Sequence, residues 1–65
     1  MMVWINQKPC ELQQGSTLKE AIEFAQITPP FAAAVNTQFV PKTLDHQTLL
    51  NDNDKIELII PITGG

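Results

Sequence analysis

Only one stretch of the chain carries helical periodicity, which restricts it to folds where a single helix must cover a sheet. That stretch is TLKEAIEFAQ, residues 17–26. Leu18, Ala21, Ile22 and Ala25 recur at spacings of three and four, so one helical face is apolar. Lys19, Glu20, Glu23 and Gln26 fall mostly on the other face. Thr17 followed by Glu20 matches a capping box, in which the hydroxyl caps a free backbone N–H and the glutamate reaches back. Gln14-Gly15-Ser16 forms the break before the helix. Thr28-Pro29-Pro30 is expected to stop it, because proline lacks an N–H and disfavours helical geometry in the residue before it.

The remainder reads as short strands and turns. MMVWIN is a β-branched and aromatic run, followed by turn chemistry at Asn6-Gln7-Lys8-Pro9 and a second strand from Pro9 through Cys10, Glu11 and Leu12. Residues 31–35 read as a strand despite three alanines, since Pro30 and Asn36 leave too little room for a helix. Asn36-Thr37-Gln38 is a tight turn, and Phe39-Val40 a brief edge strand ended by Pro41. Residues 42–50 suggest a turn of 3₁₀ helix anchored by Leu44, Leu49 and Leu50. Asn51-Asp52-Asn53-Asp54 signals a further turn, and residues 55–62 the longest strand, with Ile56, Leu58 and Ile60 on one face.

The expected order is therefore β-β-α-β-β-β, an α+β layer arrangement in one domain over residues 1–65, with a flexible tail at about 62–65. Alternation along the strands turns Val3, Ile5, Cys10, Leu12, Ala33, Val35, Ile56 and Leu58 toward the helix. Trp4, Ile59 and Pro61 fall on the opposite face, with Phe39 as a further member. No second helix exists to cover them, so this face is expected to be a contiguous apolar binding surface.

Composition narrows the function. A chain of 65 residues buries only about 60% of its unfolded surface, and its single cysteine, Cys10, excludes an internal disulfide. Neither Cys10 nor the single His46 has a partner at metal-ligand spacing. Four lysines, no arginine and seven acids argue against nucleic acid and against anionic membrane surfaces, and favour a basic protein partner. No apolar run is long enough to span a bilayer, and no leader precedes the first strand, so a small protein of a reducing compartment is expected. No residue set resembles a catalytic constellation. Ser16 lacks a base, Thr17 caps the helix, and Cys10 has no cation beside it to activate the thiol.

The last residues, Gly64 and Gly65, admit three explanations: a frayed end, an expression remnant, or a working terminus. An α-carboxyl group ionises at about pH 3.5, so at neutral pH it can attack the α-phosphate of ATP and become an acyl-adenylate when another protein holds both. Glycine suits that use, because a backbone without Cβ atoms threads a narrow cleft in extended form.

The chain resembles the ThiS family, the thiamine-pathway sulfur carriers of the ubiquitin-like β-grasp superfamily. The resemblance spans nearly the whole length: the opening strand ending in Asn6, GSTLKEAI, AVNTQFVPK, LLNDNDKIELI and the final Gly-Gly. Cys10, Pro61 and Thr63 depart from the usual pattern. The resemblance implies a mixed sheet of about five strands with one helix across one face. It implies that Gly65 is the modified residue, first as adenylate and then as thiocarboxylate, with Ile62, Thr63, Gly64 and Gly65 inserted into the partner. It further implies a docking surface at Trp4, Phe39 and Ile59, and steering of a basic partner by Glu57 and Asp54. The implied partners are a ThiF-like adenylating enzyme using ATP and magnesium, a persulfide donor and a ThiG-like thiazole synthase. The chain is then a co-substrate and not an enzyme, binds no cofactor or metal itself, is a monomer when free, and resides in the cytoplasm or a plastid stroma. The alternatives are a carrier feeding molybdopterin or another cofactor, and a ubiquitin-like protein tag.

Overall fold

The computed structural model describes residues 1–61. Its elements are β1 (Met2–Ile5), β2 (Lys8–Glu11), α1 (Leu18–Ala25), β3 (Ala32–Val35), β4 (Gln38–Val40), a 3₁₀ helix (Lys42–Gln47) and β5 (Lys55–Ile59). The strands form one sheet in the order β2-β1-β5-β3-β4. β1 and β5 run parallel, and the other neighbours are antiparallel. The expected order of elements and the mixed five-stranded sheet are both present.

α1 begins as the sequence indicates. Thr17 accepts from the Glu20 N–H, and Glu20 accepts in turn from the Thr17 N–H at 3.0 Å. Eight residues are too few for an isolated helix in water, so its stability comes from the face it buries. Leu18, Ala21 and Ile22 pack against Val3, Ile5, Ala33, Ile56 and Leu58 of the sheet, with Leu50 closing the side. Leu18, Ile56 and Val3 are the largest fully buried side chains.

Several boundaries differ from expectation, each for a local reason. α1 stops at Ala25, ahead of the prolines, because Gln26 turns into the left-handed region at φ 59° while its N–H bonds the Glu23 carbonyl. β2 begins at Lys8 and not at Pro9, since Asn6 and Gln7 alone make the turn. Their φ values of 50° and 71° are the mark of a type I′ hairpin, whose twist matches that of the strands. β3 begins at Ala32, one residue later than read from the sequence. β5 stops at Ile59 instead of Ile62: its last partner is Ala32, and Ile60, although on the inward parity, is 55% exposed beyond the end of the core. Of the three leucines expected as anchors, only Leu50 is buried, whereas Leu44 and Leu49 are exposed.

The central strand is held at both ends by asparagine side chains. β1 makes its last backbone rung to β5 from the Asn6 N–H to the Ile56 carbonyl, at 2.9 Å, and then turns away. The Asn6 carboxamide takes over, donating to the Leu58 carbonyl at 3.2 Å and accepting from the Leu58 N–H at 2.8 Å. At the other end β3 turns away through Asn36 and Thr37, with φ values of 50° and 71°. Asn36 Oδ1 accepts from the Lys55 N–H at 2.9 Å, and its Nδ2 donates to Asp54 at 2.9 Å. Asparagine meets both demands, since it tolerates positive φ and carries a donor beside an acceptor.

Replacing Asn6 by alanine removes both bonds and adds the cost of a left-handed non-glycine residue, so it should destabilise the chain by about 2–4 kcal/mol. Asn6→Gly keeps the turn and should lose about 1 kcal/mol less. Urea denaturation measures both, and a glycine variant as stable as the parent would show that the side-chain bonds contribute nothing.

Candidate functional site

With α1 on one side, the other face of the sheet carries no layer among the described residues. Cross-strand register sets what it displays. Met2 and Trp4 from β1 lie beside Glu11 and Pro9 of β2, Trp4 also pairs with Lys55, and Glu57 and Ile59 of β5 lie opposite Ala34 and Ala32. Phe39 of the edge strand lies opposite Ala34. Trp4 is 37% exposed, Ile59 58% and Phe39 67%, so all three expected docking residues present apolar surface on this face.

They do not form one continuous patch. Phe39 and Ile59 flank β3 from either side, opposite Ala34 and Ala32. Trp4 stands across β5, separated by the exposed Lys55 and Glu57. Alternation places residues on a face correctly, but contiguity also depends on which polar residues the neighbouring strand inserts between them. Beside Trp4 the surface is concave, a hollow of about 670 Å³ lined by Trp4, Asn6, Gln7, Lys55, Ile56 and Glu57.

β5 leads toward the C-terminus from the centre of this sheet. Its clamp at Leu58 is one residue before the strand ends, and the exposed Ile60 and Pro61 follow. Ile62, Thr63, Gly64 and Gly65, the expected inserted tail and modified residue, lie outside the described residues.

The two acids expected to steer a partner separate. Glu57 is exposed on the helix-free face. Asp54 is buried at the start of β5, the end away from the tail, and its carboxylate accepts from the Asn51 N–H at 2.7 Å and from Asn36 Nδ2. It is a structural acid that latches the 51–54 turn to the β3–β4 hairpin. The sequence places Asn6 and Asn36 in turns, and only the structure shows their side chains bonded to β5. Their visible signal is an asparagine at the first turn position of each hairpin.

The remaining chemistry-bearing side chains are placed apart. Ser16 is buried with its hydroxyl donating to the Gln13 carbonyl at 2.7 Å, Cys10 is half-buried, and His46 is exposed on the 3₁₀ helix. Among the described residues no three His, Cys, Asp or Glu side chains gather as metal ligands, and no helix is long and apolar enough to cross a membrane.

A five-stranded mixed sheet with one helix across one face, its central strand leading to the C-terminus, defines the ubiquitin-like β-grasp class. The solved structures agree. The crystal structure of the thiamine biosynthesis protein ThiS from Geobacter metallireducens matches with a TM-score of 0.82 at 17% identity, covering all of both chains. The solution structure of a thiamine biosynthesis protein from the same organism matches with a TM-score of 0.79 at 17% identity, over all of this chain and 88% of that one. Within the class, the chain belongs to the ThiS family, whose sequence profile matches residues 3–65. The uncharacterized protein ycf40 of Porphyra purpurea is 28% identical over 64 residues, covering 97% of this chain and 90% of that protein. Family membership supports a role as a small sulfur carrier.

Because Asp54 is structural, Asp54→Ala should lower stability by about 1–3 kcal/mol in urea denaturation, leaving the Asn51 N–H and the Asn36 amide without their acceptor. Stability unchanged by that substitution would show that the latch is not needed.

Proposed function

We propose that the chain carries sulfur for thiazole formation in thiamine biosynthesis, on the carboxyl group of Gly65. The observation that carries this reading is the ThiS-family match, which runs through the final Gly-Gly at residues 64–65. The fold supports it, because the strand that precedes the tail is central and clamped by Asn6 at its outgoing end.

In the proposed cycle, a ThiF-like partner binds the helix-free face and takes residues 62–65 into its nucleotide site. The Gly65 carboxylate attacks the α-phosphate of ATP, held there with magnesium, and pyrophosphate leaves. A persulfide on a sulfur-transfer protein then attacks the acyl carbon and displaces AMP. Cleavage of the sulfur–sulfur bond by a thiol leaves the thiocarboxylate, which a ThiG-like thiazole synthase accepts. The chain supplies no acid, base or nucleophile other than its terminus, and is a recyclable co-substrate. Glycine at both final positions lets the acyl group approach the phosphates without a Cβ in the way.

The test is intact-mass measurement after incubation with ATP, an adenylating partner and a sulfur source. The full chain should gain one sulfur in place of one oxygen at Gly65, and a chain lacking Gly65 should gain none while keeping its fold. Thiocarboxylation of the shortened chain would overturn the assignment. Docking is tested separately. Trp4→Glu or Ile59→Glu should weaken binding to the adenylating partner by about tenfold or more, as expected for a charge placed in an aromatic or aliphatic anchor. Unchanged affinity would move the interface off this face.

A further inference from the structure

The hollow beside Trp4 combines three features that together select a ligand chemistry. Its wall is the indole of the chain's only tryptophan, more than a third exposed. Glu57 also lines it, and its carboxylate forms no ion pair among the described residues. Asn6, Gln7 and Lys55 also border it, so polar groups lie beside its apolar surface.

Among the described residues Glu57 has no ion-pair partner, because of its position in the sheet. On β3 it faces Ala34, which has nothing to offer it. On the β1 side the nearest group is the Asn6 carboxamide, whose donor and acceptor are both engaged with Leu58. Lys55 is two residues away on the same face and stands beside Trp4, yet lies beyond ion-pair distance. The chain as a whole carries a formal charge of −3, which favours a cationic visitor.

We propose that this hollow seats an arginine side chain of the protein partner, its guanidinium stacked on the Trp4 indole and paired with the Glu57 carboxylate. Tryptophan offers the most favourable face for a cation, and arginine uses it more often than lysine. The planar guanidinium is weakly hydrated and binds a carboxylate through two parallel hydrogen bonds, so it satisfies Glu57 while covering the ring. Lys55 confines the seat to the Glu57 end of the hollow, since a second cation beside it would be repelled. The proposal rests on the carrier reading only for the identity of the partner, an adenylating enzyme; the seat itself is a property of this chain.

Fluorescence of the single tryptophan reports occupancy directly. Titration of the full chain with N-acetylarginine amide should change Trp4 emission saturably, and N-acetyllysine amide should bind at least about threefold more weakly. Glu57→Gln should weaken the arginine probe by about tenfold, while Glu57→Asp should restore part of the loss. A response that never saturates, that is indifferent to Glu57→Gln, or that is stronger with N-acetylglutamate would overturn the proposal. Glu57→Gln should likewise weaken binding to the adenylating partner. Failure of Gly65 modification in the unaltered chain would refute the carrier reading and leave the titration result standing. A titration without saturation refutes the arginine seat whether or not Gly65 is modified.

Discussion

The architecture depends on how β5 is held. This strand lies at the centre of the sheet, pairs with β1 in parallel and with β3 in antiparallel fashion, and contributes Ile56 and Leu58 to the core. Both neighbours turn away through tight hairpins before β5 is fully paired, which would leave half-buried backbone groups unsatisfied. Asn6 and Asn36 solve the problem from opposite ends by extending the ladder with side-chain amides. The same two residues adopt the positive φ that their turns require. One residue type thus sets the hairpin twist and finishes the ladder.

A second consequence follows from having one helix for two faces. α1 closes one side with Leu18, Ala21 and Ile22, and the other side keeps Trp4, Ile59 and Phe39 exposed. Lys55 and Glu57 run between them, so the face is not a bare apolar sheet edge inviting self-association; it has two apolar areas and a charged strip. Such a surface is suited to a partner that supplies anchors of matching chemistry. The edges are also guarded, since β2 carries Lys8 and Pro9 and β4 has only three residues before Pro41.

Much of this was legible in the residues. Helix position followed from periodicity and the Thr17–Glu20 box, and the sorting of strand residues between two faces followed from alternation. The boundaries that slipped share a cause. Gln26 ended α1 through its backbone conformation, which no composition rule marks. β5 stopped at Ile59 because its partner begins only at Ala32, a fact about pairing and not about residues 60–62. Leu44 and Leu49 look like anchors in a polar stretch, but the small core has room for Leu50 alone.

By itself the sequence determined the fold class, the buried helical face, the ThiS-family identity and the glycine end, because each depends on local order and spacing along the chain. Only the tertiary structure decided the pairing across strands. It showed Asp54 as a buried latch, revealed Asn6 and Asn36 as clamps, and placed Trp4 and Glu57 around one hollow. Those relations join residues 18 to 53 positions apart, and nothing in the local pattern of either segment specifies its partner until the chain has closed on its core.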